Sequence, residues 1–76
     1  MNTSLFVGLC YDVGLDVDFR RELIYVYAPN GALVAMVDEA ARALFWIDTY
    51  GVSEDQAVEI TETVAPYALT PIEERE

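Results

Sequence analysis

The sequence contains no histidine and no lysine, and its only cationic side chains are four arginines, set against fourteen Asp and Glu residues. The formal net charge is 4 − 14 = -10. A protein that binds nucleic acid directly needs a basic patch opposite the phosphates, and so few arginines among so many carboxylates cannot form one. Attraction to an anionic membrane surface needs the same kind of patch. The composition therefore argues against both classes of direct partner.

Catalytic side chains are equally scarce. Without histidine, a serine or cysteine nucleophile lacks its usual base, and without lysine no Schiff base can form. Two carboxylates could hydrolyse a glycoside, but a chain of 76 residues can hardly build the substrate cleft. We therefore expect neither enzymatic activity nor a cofactor. The glycines are scattered singly and form no phosphate-binding loop: Gly8, Gly14, Gly31 and Gly51.

Cysteine and long apolar segments are also rare. Cys10 is the single cysteine, so it cannot close an internal disulfide, and its apolar neighbours favour a small buried hydrophobe over a reactive thiol. No apolar run approaches the roughly 20 residues of a membrane span, and no basic amino terminus precedes an apolar signal segment. These features predict a cytoplasmic protein in a reducing compartment.

Hydrophobic residues are abundant in spite of the charge. They make up 54% of the chain, and aromatic residues make up 12%, far more than a disordered acidic chain carries. The sequence is therefore expected to fold. Its 76 residues suffice for one domain, which buries roughly 60% of the surface of the unfolded chain and so has a small margin of stability.

Three segments have the pattern of β-strands. The apolar run at 4–12 predicts a strand covered on two sides, and the alternation at 22–28 predicts a second strand. Asn30-Gly31 then predicts a type I′ hairpin turn, with the returning strand at 32–37. The apolar residues that follow the turn also fit helical spacing, and the alternative is a helix that begins near Asn30.

Two helices are predicted in the second half, at 39–50 and 53–65, where helix propensity is high and each segment follows an N-capping residue. Pro66 is expected to end the second helix, and 73–76 is expected to be a frayed tail. The predicted fold is a small α+β domain, with a three-stranded antiparallel sheet followed by two C-terminal helices packed on one face. The predicted N-caps are Asp38 and Ser53.

Acidic residues crowd the segment between the first two predicted strands, which we interpret as a loop over 12–21. Aligned on a calcium-binding EF-hand loop, this segment has Val17 where the loop needs glycine and Leu23 where it needs glutamate. The match fails at its two most constrained positions. The segment is therefore interpreted as a solvated acidic loop, partly balanced by Arg20 and Arg21, and no metal site is predicted.

The negative charge is concentrated in the second half of the chain. Residues 1–37 have a net charge of 2 − 4 = -2, and residues 38–76 have 2 − 10 = -8. Asp55, Glu59 and Glu62 recur at helical spacing, with no Lys or Arg between them. Such a row approximates the anionic lattice of a nucleic-acid backbone, although an acidic surface can also serve solubility alone. Two more acids extend the row: Asp48 and Glu54.

Large apolar residues form a second group, in the first predicted helix. Leu44, Phe45, Trp46 and Ile47 are consecutive, so on a helix they would point around its whole circumference, and one small sheet covers only one side. Burial under the second helix is one interpretation. The other is an exposed surface on which Trp46 and Tyr50 anchor a partner, because Trp and Tyr contribute large, rigid contact area at interfaces.

These features together predict a non-enzymatic acidic binding protein, which inhibits a basic nucleic-acid-handling protein by occupying its positively charged groove. In size, acidity and lack of catalytic residues the chain is similar to the phage-encoded inhibitors of host defence, which include anti-CRISPR proteins and DNA mimics. Two alternatives remain open. One is an antitoxin or immunity protein that neutralises a basic nuclease, and the other is a homodimeric adaptor whose acidic surface only confers solubility.

Overall fold

The structure of the protein is a computed structural model that describes residues 1–76. It has an N-terminal helix, a four-stranded sheet, a C-terminal helix and a closing 3₁₀ turn. In chain order the elements are α1 (Thr3–Asp12), β1 (Asp16–Arg20), β2 (Leu23–Tyr27), β3 (Leu33–Asp38), β4 (Phe45–Ile47), α2 (Glu54–Ala68) and the 3₁₀ turn (Ile72–Glu74).

The sheet is an antiparallel meander in which the strands lie in the order β1-β2-β3-β4. α1 packs against β1, α2 packs against β3, and the two helices pack against each other. Both helices thus cover the same face of the sheet. The α+β class and the antiparallel sheet agree with the prediction, but the sheet has four strands instead of three, and one helix precedes it.

The segment predicted as a strand at 4–12 is the helix α1. Asn2 caps it, because its Oδ1 accepts the Leu5 N–H at 2.8 Å, and Phe6 and Cys10 are fully buried one turn apart. Leu5 and Tyr11 instead face solvent. A run that is apolar on all sides has no period, so the sequence pattern alone could not separate a buried strand from a helix here.

The segment predicted as a loop at 12–21 contains the edge strand β1. Gly14 makes the turn out of α1 with a φ of +82°, and the buried Leu15 leads into the strand. In β1 the charged residues alternate with Val17 and Phe19, which is the pattern of a strand with one solvated face. Because the segment is rich in acidic residues, its sequence was interpreted as a loop and the alternation was missed.

The two central strands are those that the sequence predicts at 22–28 and 32–37, and the alternative helix from Asn30 is wrong. The hairpin turn differs in type. Only Gly31 has a positive φ, at +86°, so the turn is not the predicted type I′, which needs two such residues. The Gly31 N–H donates to the Ala28 carbonyl, and the Ala28 N–H donates to the Ala32 carbonyl, both at 2.9 Å.

The helix predicted at 39–50 is absent, and part of it forms the edge strand β4. Asp38 does not act as a helix N-cap: its Oδ1 accepts the Ala40 N–H at 2.7 Å and closes a local turn. Ala43 has a φ of +64°, which a helix interior does not allow, and its N–H donates to the Ala68 carbonyl. Pairing with β3 thus prevails over local helix propensity.

The helix predicted at 53–65 is confirmed but extends to Ala68. Ser53 caps it, since its Oγ accepts the Gln56 N–H at 3.2 Å. Pro66 lies on the exposed side of the helix and does not end it. The predicted frayed tail is also wrong, because the tail holds a 3₁₀ turn and the buried Arg75.

The core lies between the two helices and the covered face of the sheet. Phe6 of α1 and Tyr67 of α2 stack with ring centroids 4.1 Å apart, and the Tyr67 hydroxyl shares a hydrogen bond of 2.8 Å with Thr3. The Arg75 guanidinium closes one end of this layer. It lies 4.8 Å from the centroid of the Tyr67 ring and donates hydrogen bonds to the carbonyls of Asp38, Ala68 and Thr70.

Candidate functional site

Four carboxylates lie on the solvent side of α2, and we name them the acidic surface: Glu54, Asp55, Glu59 and Glu62. All four are exposed. The opposite side of the helix is fixed in the core by Ile60, Val64 and Tyr67, so the carboxylates stand on a rigid element. Neighbours three or four residues apart have Cβ atoms about 5–6 Å apart, and their like charges repel.

No cation neutralises the acidic surface. The only ion pair in the molecule joins Arg20 Nε to Asp18 Oδ2 at 2.7 Å, on β1. Arg42 and Arg75 bind carbonyl groups at the C-terminal end of α2, where the negative end of the helix dipole favours them. Positive charge therefore collects at one end of α2, and negative charge lies along its first two turns.

An apolar side chain stands among these carboxylates. Val58 is about half exposed and, together with Ala57 and Thr61, lines a shallow surface groove between Glu54 and Glu62 with a volume of about 370 Å³. The acidic surface therefore offers a contact for an apolar side chain beside its charges.

Asp48 and Tyr50 lie in the connection from β4 to α2, before the first turn of that helix. The Asp48 N–H donates to the Val34 carbonyl at 2.8 Å, and Asp48 Oδ1 accepts the Tyr50 N–H at 3.0 Å. These bonds hold the connection in place. The Tyr50 side chain is 101% exposed and has no partner within the chain.

A second, partly exposed surface is the face of the sheet that the helices leave uncovered, which we name the open face. Side chains opposite each other in an antiparallel pair point to the same side. The register pairs Tyr25 with Met36 and Met36 with Trp46, while the alternating residues Ile24 and Val37 are buried on the covered face. The apolar residues of the open face are Leu23, Tyr25, Tyr27, Leu33, Met36 and Trp46, and the same register places Asp16, Asp18 and Arg20 of β1 and Asp38 of β3 on this face.

One part of the open face is concave. A groove with a volume of about 200 Å³ runs along β3 and β4, and five of the six residues that line it are hydrophobic. Trp46 is 41% exposed there. Asp38 is the single charged residue of the lining. The residues that line the groove are Leu23, Met36, Asp38, Leu44, Phe45 and Trp46.

The seven residues predicted to bind a partner thus do not form one surface. Five of them follow one another along the connection and the first turns of α2: Asp48, Glu54, Asp55, Glu59 and Glu62, with Tyr50 among them as the sixth. Trp46 belongs to the open face, on the opposite side of the sheet from α2. One flat partner surface cannot contact both.

Sequence reasoning missed the open face as a candidate site. Its signal is present in β2, where Leu23, Tyr25 and Tyr27 alternate with Ile24 and Val26, so that both sets are apolar. Such a strand predicts cover on both faces. Since two helices can cover only one face, the remaining apolar surface stays exposed.

Outside these two surfaces the side chains form no metal-binding group, and the only thiol is buried. No group of three or more Cys, Asp and Glu side chains converges so that it could hold a metal ion. Burial raises the pKa of the Cys10 thiol from 9.0 to about 12, which keeps it protonated and unreactive at neutral pH. No helix has the length and apolar character that crossing a membrane requires.

Comparison with protein-family models, with curated proteins and with solved structures gives no match for this chain. The acidic surface and the open face are therefore the features from which a function can be inferred.

Proposed function

We propose that the protein is a non-enzymatic inhibitor that binds a basic, nucleic-acid-handling protein and blocks its positively charged groove. The observation that carries this proposal is the acidic surface, whose four carboxylates are exposed on one rigid helix with no cation among them. Charged surfaces that serve solubility alone usually mix both signs. A row of one sign, held at fixed spacing, is what a groove built for phosphates binds.

The charge of the whole chain supports association with a basic partner. A net charge of -10 on 76 residues attracts cationic surfaces over a distance of about 10 Å at moderate salt and accelerates encounter. The acids of the first turn, Glu54 and Asp55, also match the positive N-terminal end of α2. The row is thus compatible with a stable helix in spite of its repulsion.

The proposed contact extends beyond the four carboxylates. Tyr50 and Val58 add uncharged contact area, and Asp48 adds one more carboxylate. Tyr50 stands fully exposed beside the start of α2, and Val58 places a half-exposed apolar side chain between the carboxylates. A partner groove that carries an apolar residue between its Lys and Arg side chains would bury both. Tyrosine in such a position is a common interface anchor.

A phage-encoded inhibitor of a host defence nuclease, of which anti-CRISPR proteins are examples, would use this surface directly. An antitoxin that neutralises a basic nuclease would use the same surface in the same way. The two differ in the partner and not in the physics. Identification of the partner separates them.

The proposal is tested by capture of proteins from a lysate of the natural host on the immobilised chain. We expect a Lys- and Arg-rich protein that elutes as salt rises from about 50 to 200 mM, and that added duplex DNA or RNA displaces. The triple variant Asp55→Lys, Glu59→Lys, Glu62→Lys should capture none of it. Unchanged capture by this variant, or indifference to nucleic acid, would overturn the proposal.

A matched control reverses three exposed carboxylates elsewhere: Asp12→Lys, Glu22→Lys, Glu73→Lys. It changes the net charge by the same amount as the α2 variant. If binding depends on the acidic surface, the control should retain most of it. Equal losses in both variants would show that only total charge matters. Far-ultraviolet circular dichroism of both variants reports whether each one is folded.

A further inference from the structure

The two edges of the sheet present different side chains to solvent. β1 carries Asp16, Asp18 and Arg20 in alternation, and charged residues on an edge strand discourage the addition of another strand. β4 consists of Phe45, Trp46 and Ile47 and carries neither charge nor proline. It is the unprotected edge of the sheet.

The outer side of β4 also has free backbone groups. The Asp48 N–H donates to the Val34 carbonyl, which makes position 48 a hydrogen-bonded position of the β3–β4 pair. Such positions alternate along an antiparallel pair, so Trp46 faces β3 while Phe45 and Ile47 direct their N–H and C=O groups outward. No hydrogen bond from a turn or loop reaches these outward groups.

One carboxylate lies near each end of β4, and neither belongs to the strand itself. Asp38 lines the groove beside Leu44, and Asp48 follows the last residue of β4. Leu44 and Asp48 are about 14 Å apart along an extended chain. Half-exposed Trp46 forms one wall of the groove at the centre. β4 itself is therefore apolar, with an acid of the neighbouring strand β3 near its first residue and an acid directly after its last residue.

We propose that β4 is a second docking site, which takes an extended segment of the protein partner as a fifth strand of the sheet. The segment has an apolar residue at its centre, which enters the groove on the open face, and Lys or Arg on both sides of it, which face Asp38 and Asp48. Backbone hydrogen bonds to Phe45 and Ile47 supply the pairing. The proposal rests on the proposed function for the basic character of the partner, and on the sheet edge for the mode of binding.

A second copy of the chain fits this edge less well. It would bring another net charge of -10 into contact, and the carboxylates at the ends of one β4 would meet an edge of the same acidic character. A basic segment gains attraction at the positions where a second copy meets repulsion. Charge complementarity therefore selects a cationic partner.

The test uses a short synthetic peptide with a Val-Ile-Val centre flanked on each side by Lys and Arg. Trp46 is the only tryptophan, so its fluorescence reports occupation of the groove directly. We expect a blue shift on saturation, together with slower hydrogen exchange of the Phe45 and Ile47 amides, by about tenfold or more, because those amides gain hydrogen bonds. A peptide that leaves these two amides unprotected would overturn the strand-addition proposal.

Two control peptides separate the contributions of backbone and charge. The same sequence, N-methylated at alternate residues so that its backbone cannot pair, should bind at least about tenfold more weakly. A peptide with Glu in place of each Lys and Arg should give no detectable shift. Equal binding of the methylated peptide would show that the backbone groups of β4 take no part. Self-association of the chain that the peptide fails to displace would assign the edge to a second copy instead.

A pair of variants locates the site on the protein. Leu44→Glu places a carboxylate in the groove, and Leu5→Glu makes the same change on the solvent side of α1, where exposure is similar, at 53% against 59%. We expect Leu44→Glu to weaken peptide binding by about tenfold or more, and Leu5→Glu to leave it unchanged. Equal effects of the two variants would contradict the assigned location.

The outcome is distinguishable from that of the proposed function. The variant Asp55→Lys, Glu59→Lys, Glu62→Lys leaves β4 intact, so it should keep the protection of the Phe45 and Ile47 amides by the peptide. If that variant still captures the natural partner while Leu44→Glu does not, the edge of β4 is the main site and the proposed role of the acidic surface fails. If capture is lost only in the α2 variant, and the peptide does not protect the Phe45 and Ile47 amides, the strand-addition proposal fails and the proposed function stands.

Discussion

On the central strand β2, the covered face and the open face of the sheet carry similar apolar side chains but meet different neighbours. On β2, Ile24 and Val26 are fully buried beneath the helices, whereas Leu23 and Tyr25 on the same strand are only half buried. In a chain of 76 residues the two helices are large enough to cover only one face of the sheet. The apolar surface left on the other face marks where this protein can contact another one.

The largest expected difference between the faces concerns neighbouring residues of similar volume. Ile24→Ala should lower the free energy of unfolding by about 3–4 kcal/mol, because it leaves a cavity in the closed core. Leu23→Ala should cost less, about 1–2 kcal/mol, since its side chain is only partly buried. Urea unfolding, monitored by far-ultraviolet circular dichroism, measures both. Similar losses would mean that the open face is covered in solution.

The next effect concerns the closed end of the covered face. Arg75→Met should lower the free energy of unfolding by about 2–3 kcal/mol, because the Asp38 and Thr70 carbonyls lose a charged donor and Tyr67 loses its cation. The control is Arg42→Met, since Arg42 is exposed and donates one hydrogen bond, to the Leu69 carbonyl. This control should cost less than about 1 kcal/mol. An equal cost for both would show that the hydrogen bonds of the buried Arg75 stabilise the fold no more than the single bond of Arg42.

The smallest effect is a dependence of stability on pH that arises in the covered core. Since burial raises the pKa of Cys10 to about 12, the folded chain keeps the thiol proton above pH 9 while the unfolded chain loses it. The unfolded state then binds fewer protons, so stability falls as pH rises through this range. Between about pH 8 and pH 10 the loss should reach about 1–2 kcal/mol.

Cys10→Ala provides the reference for this measurement. All other titratable groups are the same in both proteins, so the difference between the two pH profiles isolates the thiol. The variant should be less stable by a constant amount at low pH and should lack the additional fall at high pH. Parallel profiles would mean that the thiol is accessible to solvent in the folded state.

The elements that the sequence predicts correctly are those whose structure depends on residues close together in the chain. The central strands β2 and β3 and the N-terminus of α2 have clear periods and local caps, such as the Ser53 side chain bonded to the Gln56 N–H. These elements were predicted. α1, β1 and β4 were not, because their form depends on partners that are distant in the chain. β4 exists through its pairing with β3, and α1 through the burial of Phe6 against Tyr67.

The candidate site was predicted in the same partial way. The acidic surface lies on a helix that the sequence identifies, so the spacing of Asp55, Glu59 and Glu62 was sufficient to place them on one side of it. Trp46 was expected on a helix beside these acids. Instead it lies in an edge strand, and the sheet separates it from α2. Because Trp46 lies in a strand and not in the predicted helix, it belongs to a different surface of the molecule from the predicted one.

The sequence by itself determined the charge of -10, its concentration in the second half and the absence of histidine and lysine, because these are properties of composition and order. It also determined the row of carboxylates, since helical spacing is local. Only the tertiary structure decided which apolar residues stay exposed and which strand forms the free edge. Those properties depend on which surfaces the two helices cover, and coverage is settled by contacts between residues far apart in the chain.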